Sequence, residues 1–420
     1  MITPEEFPYI KSLYVNDCYA YKDFNIELHD YKPFSHLILT GKNGSGKTTI
    51  LKAINREFLS KEANQEFPTG IVRAITSEPD GTKIYRESTV KGTPISLVNV
   101  SLSIRHKKSD NGIPMKTDEV LRLYTKVYSY FEAKRGQINK QVEGPTKESD
   151  FIDKLNSADS TNYFTSTFKQ YLVNKKIEQA FAQIDQRVEQ LLLTQSFFET
   201  IRQKFSAVFN QQVTVIDFDY KSYEFYFNMV DGRRLTFDIL SDGFLAMLSI
   251  MMDLFIRVDL IRKQINNYVY DPCGVVLIDE PETHLHLQLQ EQILPLLTGL
   301  FPNVQFIIAT HSPAVIASIK NATIFDLTTK ESRGSEETVG RSYSDLMVSH
   351  FGLTNEYSKT ADDIINKVND VLNRLGDKPA EMKQALQKIY DENSAYLSPT
   401  LKVELELLIA QKGAQQIAHQ

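Results

Sequence analysis

Gly41-Lys42-Asn43-Gly44-Ser45-Gly46-Lys47-Thr48 decides the reading of this chain. The apolar run His36-Leu37-Ile38-Leu39-Thr40 precedes it, and the helix-like stretch Thr49-Ile50-Leu51-Lys52-Ala53-Ile54 follows. Strand, glycine-rich loop and helix together fill the pattern G-x-x-x-x-G-K-[ST]. Gly41, Gly44 and Gly46 let the backbone curl so that N–H groups across Asn43, Ser45 and Thr49 surround a phosphate. The helix N-terminus adds partial positive charge. Lys47 is then placed to reach the β- and γ-phosphates, and the Thr48 hydroxyl to ligate Mg2+. The loop implies a bound nucleoside triphosphate and leaves open what its energy serves.

Three later stretches carry matching chemistry. Val275-Val276-Leu277-Ile278-Asp279-Glu280 reads as a buried strand ending in two carboxylates. Beside a phosphate loop, Asp279 would hold Mg2+ through its coordination shell and Glu280 would polarise the attacking water. Val304-Gln305-Phe306-Ile307-Ile308 is a second buried strand, and Ala309-Thr310-His311-Ser312-Pro313 follows it. A histidine at a strand's C-terminal end lies on the ligand face of a parallel sheet, so His311 is a candidate partner for the γ-phosphate. Leu240-Ser241-Asp242-Gly243-Phe244 opens a helix. Its Ser241 hydroxyl and Gly243 N–H form a second phosphate-binding device, although Ser-Asp-Gly is also an ordinary turn and N-cap.

The bulk numbers set bounds. At 420 residues the chain has room for two or three compact units. Its formal net charge of −6 gives no support for wrapping nucleic acid over the whole surface. A local basic group (Arg105, Lys107, Lys108, Lys134, Arg135, Lys140) keeps nucleic acid open as a partner, while such clusters are usually plain surface. Only Cys18 and Cys273 are present, which excludes a disulfide framework and a cysteine-based zinc site. No apolar run approaches the ~18 residues of a membrane helix, and Met1-Ile2-Thr3-Pro4-Glu5-Glu6 does not read as a secretory leader. The expectation is a soluble cytoplasmic protein without a membrane partner.

Periodicity supplies the frame. Ile10, Leu13, Val15, Phe24, Ile26 and Leu28 predict two strands split near Asn16-Asp17. Ile95 to Ile104 is the clearest strand of a strand-rich stretch, and Val127 to Phe131 is a buried strand. Residues 161–210 are helical, with Ile177, Phe181, Ile184, Val188, Leu191 and Leu192 at helical spacing. A hairpin follows, turning at Asp231-Gly232, then an apolar helix from Phe244. Beyond about residue 342 the pattern is helical to the end, with Leu353, Ile364, Ile365, Val368, Val371 and Leu372 in helical register.

In this order, the pieces resemble an ATP-binding-cassette (ABC) ATPase. Ser241-Asp242-Gly243 takes the place of the signature motif, His311 that of the switch histidine, and Thr283-His284-Leu285-His286 that of the D-loop. The wording Leu277-Ile278-Asp279-Glu280-Pro281-Glu282-Thr283-His284-Leu285-His286 is similar to the soluble, non-transporter branch that includes RecF, the OLD proteins and the ATPases of bacterial anti-phage systems, Septu and PARIS among them. Phe244 departs from the Gln common in signatures, and His286 from the Asp common in transporter D-loops. For the Q-loop, Gln137 is favoured over Arg135, and either also reads as a solvated loop residue.

The resemblance implies an α/β P-loop NTPase with an antiparallel β subdomain, a helical insertion and a C-terminal helical region. The expected bounds are 1–135 for the first part of the ATPase domain, 136–210 for the insertion, 211–341 for its second part, and 342–420 for a helical region open to partners. It also implies ATP and Mg2+ as ligands, and a homodimer, or a larger oligomer built from it, with ATP sandwiched between Lys47 of one subunit and Ser241 of the other. The function it favours is a sensor or regulatory ATPase that controls a separate effector nuclease or toxin. The alternative is a RecF- or OLD-like ATPase of DNA repair or processing. An OLD-type nuclease needs an Asp-x-Asp metal motif that the residues after Pro313 lack. A transporter subunit is disfavoured by the long span between Lys47 and Ser241 and by the Glu-Thr-His-Leu-His wording.

Overall fold

The strand before the glycine-rich loop lies inside a parallel sheet, and the other chemistry-bearing strands are its neighbours. A computed structural model describes residues 2–18, 21–59, 71–77, 83–89, 100–104, 126–134, 141–155, 163–351, 358–375 and 378–417. The first elements are β1 (Ile10–Cys18), β2 (Tyr21–Glu27), β3 (His36–Thr40), α1 (Lys47–Leu59), β4 (Ile71–Ser77), β5 (Lys83–Thr89), β6 (Val100–Ile104) and β7 (Val127–Phe131). Next come α2 (Ser149–Leu155), α3 (Tyr163–Ile184), α4 (Val188–Phe209), β8 (Val213–Asp219), β9 (Glu224–Met229), β10 (Arg234–Leu235) and α5 (Asp242–Gln264). Then follow β11 (Gly274–Asp279), α6 (Leu287–Leu300), β12 (Val304–Ala309), α7 (Pro313–Ile316), β13 (Ala322–Asp326), β14 (Glu331–Gly334) and α8 (Tyr343–Phe351).

The central sheet has six strands in the order β14-β13-β3-β12-β11-β7. All neighbours are parallel except β14, which pairs antiparallel with β13 at the edge. Every residue of β3, β11, β12 and β13 is buried, as expected of parallel strands covered on both faces. Alternation divides them between two cores. Leu37, Leu39, Val275 and Leu277 face α1 and the antiparallel sheet β2-β1-β6, whereas Ile38, Val276, Ile278 and Phe306 face α5 and α6. Each such side chain stabilises the fold by roughly 1.5–3 kcal/mol relative to exposure. The fold is α/β, of the P-loop type, with its antiparallel β subdomain on the α1 face.

Some local expectations change. The first hairpin does not turn at Asn16-Asp17: β1 continues to Cys18, with Asp17 opposite Lys22 and Cys18 opposite Tyr21. Of the strand expected over residues 95–104, the described part is β6, and Ile95 to Asn99 lie outside the described residues. The helical stripe of residues 161–210 also divides. Phe168, Tyr171, Leu172, Phe198, Ile201 and Phe205 are buried in the core, whereas Phe181, Ile184, Val188 and Leu192 are exposed. These exposed residues lie around the turn between α3 and α4, and spacing marks a helix face without saying how far the body extends beneath it.

The chain divides into two compact units, Met1–Gly352 and Leu353–Gln420. In the second unit, α9 (Lys359–Arg374), α10 (Pro379–Asn393) and α11 (Pro399–Ile417) share their own core. Ile364, Val368, Met382, Leu386, Leu401 and Leu405 are buried there, with Ile365, Val371 and Leu372 packed against them. Ser358 caps α9 by accepting the Ala361 N–H. Leu353 lies outside the described residues. Helix α8 belongs to the first unit. Among the described residues no helix is long and apolar enough to cross a membrane.

Candidate functional site

Loops from the C-terminal ends of adjacent parallel strands build the site, which is where open α/β sheets place ligands. The glycine-rich loop leaves β3. Gly41, Gly44 and Gly46 have φ values of +128°, +77° and +97°, a region that L side chains rarely adopt. Gly41 also needs its missing side chain for space, since a Cβ there would lie 3.0 Å from Thr328 Oγ1 and 3.2 Å from Asp326 Oδ1. Thr328 Oγ1 accepts the Lys42 N–H at 3.1 Å. The segment after β13 therefore buttresses the loop. Nothing in the local sequence of either segment announces that contact.

Lys47 begins α1 and is only 6% exposed. Its Nζ donates to the carbonyls of Gly41 at 2.9 Å and Lys42 at 3.2 Å. Burial pushes its pKa down to about 8 from a usual 10.5, against the pull of Glu280, Asp279, Glu282 and Asp326. Two pH effects of opposite sign follow. Only the ammonium pairs well with phosphate, so ATP affinity should fall as pH rises through about 8, by up to about tenfold per unit. Between about 8 and 10.5 the unfolded chain binds more protons than the folded one, so the nucleotide-free protein gains stability as pH rises. Titration calorimetry across that range checks the first effect, with Lys47→Arg as a control whose guanidinium stays charged. A wild-type affinity that is flat across the range overturns it.

Thr48 Oγ1 donates to Asp279 Oδ1 at 3.1 Å. Asp279 closes β11 and is 4% exposed, and burial pushes its carboxyl above the usual range against the Thr48 hydrogen bond. Among the described residues no cluster of three His, Cys, Asp or Glu side chains forms a metal cage. Mg2+ needs none, because it takes one or two protein oxygens with phosphate oxygens and water. The hydroxyl and carboxylate in contact here are hard oxygen donors that fit that ion.

Glu280 follows in the left-handed region, with φ of +46°. Its N–H donates to Ala309 O at 2.8 Å, and its carbonyl accepts the Thr283 N–H and hydroxyl. A non-glycine residue held this way is strained and persists only where its surroundings over-determine it. His311 stands at the end of the neighbouring strand, half-buried. Burial and the Lys47 charge lower its pKa, while Glu280 raises it. The imidazole thus lies within the electrostatic reach of both groups.

Glu282 has no role legible from its sequence context, yet it is a tie between loops. Its Oε1 accepts the His311 N–H at 2.6 Å, and burial raises its pKa against that bond. The only signal for it was its place two residues after Glu280. Gln290 makes a similar tie, donating to Leu285 O at 2.8 Å and accepting from the Ser312 hydroxyl at 2.7 Å.

Ser241-Asp242-Gly243, expected to take the place of a signature motif, sits at the start of α5. Ser241 is its N-cap residue without a side-chain cap bond. Ser241 and Asp242 are exposed and Gly243 is buried. A Cβ on Gly243 would lie 2.6 Å from the His284 carbonyl oxygen, so this glycine is also a close-approach point between the start of α5 and the segment that follows Glu282 within one chain. Gln137 and Arg135 lie outside the described residues, as do the other proposed basic positions except Lys134.

The family described as "AAA domain, putative AbiEii toxin, Type IV TA system" matches residues 37–317, from β3 through α7. The chain belongs to this AAA-domain family. The AAA-domain chain is 23% identical over 373 residues to the "Retron Vc95 probable ATPase" of Vibrio cholerae serotype O1 biovar El Tor, covering 71% of this chain and 72% of that protein. It is 26% identical over 314 residues to the "Septu protein PtuA" of Bacillus mycoides (strain KBAB4), covering 74% of this chain but only 38% of that protein. A second Septu protein PtuA, from Bacillus thuringiensis, is 23% identical over 283 residues, with 66% of each chain covered. Among solved structures, an Smc head domain from Pyrococcus furiosus aligns with a TM-score of 0.41 at 15% identity, covering 79% of this chain and 98% of that chain.

Proposed function

We propose that this AAA-domain chain is a Mg2+-dependent ATPase acting as the switch subunit of an anti-phage defence system, with a separate nuclease or toxin as its effector. The observation that carries the reading is the convergence of Lys47, Thr48, Asp279, Glu280 and His311 at the ends of adjacent strands β3, β12 and β11. That set matches phosphoryl transfer, in which positioning and charge stabilisation supply most of the rate. The similarity to retron and Septu ATPases supports the defence setting.

In this reading the loop amides and Lys47 bind the β- and γ-phosphates, and Glu280 orients the attacking water and accepts the proton it loses. The His311 imidazole contacts the γ-phosphate. Thr48 and Asp279 would hold Mg2+, which when bound would supply charge neutralisation to the phosphates. The exposed Ser241 and the start of α5 meet the nucleotide of a second copy, so ATP closes a dimer and hydrolysis reopens it. The effector engages the second unit, whose helices have a core of their own.

Stopping the chain after Gly352 tests the division of labour. The shortened protein should bind ATP within about twofold of the full chain, because the site lies in the first unit, and should lose its effector. The check is co-purification with the products of neighbouring genes alongside an ATP titration. An effector retained by the shortened chain overturns the assignment to the second unit.

A further inference from the structure

Helix α8 is the last element of the first unit, and its final two residues reach two different parts of the nucleotide site. At its start the Tyr343 hydroxyl donates to Glu291 on α6, and Leu346 is buried midway. At its end the Phe351 ring lies against the His311 imidazole, with centroids 5.9 Å apart and planes inclined by 38°. The preceding His350 ring is 3% exposed, and neither of its nitrogens has a hydrogen-bond partner. Its Nδ1 stands 3.7 Å from Asp326 Oδ2, too far for a hydrogen bond but within ion-pair distance whenever the ring is protonated.

Asp326 is the buttress of the phosphate loop. Its Oδ1 accepts the Thr328 N–H at 2.7 Å and the Thr329 N–H at 3.3 Å, and Thr328 in turn accepts from Lys42. Burial pushes the Asp326 carboxyl up, but His350 and those two amides hold it below its usual range. Two lines therefore run from one helix end. His350 leads through Asp326 and Thr328 to the loop that holds phosphate, and Phe351 leads directly to His311.

We propose that His350 and Phe351 are positioning residues for ATP hydrolysis, His350 fixing the phosphate loop through Asp326 and Phe351 fixing the orientation of His311. The proposal rests on the ATPase reading above. It gives the two neighbours separable effects, because one line ends on ground-state binding and the other on a group that acts during transfer. A purely structural role in α8 would make both substitutions lower stability and shift both kinetic parameters together.

The experiment measures steady-state ATP turnover and melting temperature for the full-length chain and its variants. Phe351→Ala should lower kcat about tenfold with KM within about twofold, because small misplacements of reacting groups are costly. Phe351→Tyr, which keeps the ring, should restore most of kcat. His350→Ala should raise KM for ATP about three- to tenfold with kcat within about twofold. Phe351→Leu keeps apolar volume without the ring, so it remains informative if the alanine variant fails to fold. A leucine variant with wild-type kcat overturns the proposal. So do parallel losses of kcat, KM and melting temperature in both alanine variants. Wild-type turnover with unchanged variants overturns this proposal alone. A wild-type chain without Mg2+-dependent turnover overturns the ATPase reading and this proposal with it.

Discussion

A Glu280→Gln chain is expected to bind ATP with near wild-type affinity and to hydrolyse it about a hundred- to ten-thousandfold more slowly, the range lost when a positioned base is removed. Glu280 is set by its backbone. The N–H bond to Ala309 O and the turn closed by Thr283 hold it at φ of +46°. Those bonds involve main-chain atoms of residue 280, so glutamine preserves them and nearly the same side-chain volume. What it removes is the carboxylate charge. Phosphate loop, Lys47 and Thr48 stay intact, so binding should persist and the ATP-bound dimer should accumulate. Phosphate release gives the rate, and sedimentation with and without ATP gives the assembly. Full turnover by this variant would mean that Glu280 is not the water-positioning group. Slow turnover without an ATP-dependent dimer would separate the chemistry from the proposed closure.

The parts legible in sequence are those whose chemistry is local. Residues 36–54 carry strand, glycines, lysine and helix in one continuous stretch, and the structure places them in that order. The strands that end beside the carboxylates at 279 and 280 and before the histidine at 311 are readable because their apolar runs are long enough to be buried, and β11 and β12 are buried throughout. The residues that escaped act across the chain. Asp326 and Thr328 support Gly41 and Lys42, and Phe351 meets His311, through contacts that no spacing rule encodes. Glu282 escaped for a different reason: its role is to accept a main-chain N–H, and main-chain donors leave no mark in sequence. The stripe through Phe181, Ile184, Val188 and Leu192 shows the converse limit. Its period correctly gives a helix, but burial depends on how far the neighbouring body extends, and here these side chains face outward.

Gly243→Ala is expected to lower turnover about tenfold or more while ATP binding to the isolated chain stays within about twofold, as a strained close contact of 1–3 kcal/mol would produce. The added methyl would stand 2.6 Å from the His284 carbonyl oxygen, below the 3.0 Å that real Cβ contacts respect. The obstacle is main chain, so no side chain can swing away. His284 already has φ of +66°, which leaves its peptide little freedom to retreat. The shift must pass into Leu285, whose carbonyl accepts from Gln290, and Gln290 holds Ser312 beside His311. Ser241→Ala supplies the contrast. Its side chain is exposed and makes no cap bond, so its loss should leave the melting temperature unchanged and weaken only ATP-driven dimerisation. If Gly243→Ala lowers both turnover and melting temperature while Ser241→Ala lowers dimerisation alone, the segment has two separable jobs. One is a seat for the D-loop within its own chain, and the other is a contact to the nucleotide of its partner. A Gly243→Ala chain with wild-type turnover and melting temperature would show that the D-loop carbonyl can move aside, and the first job would fall.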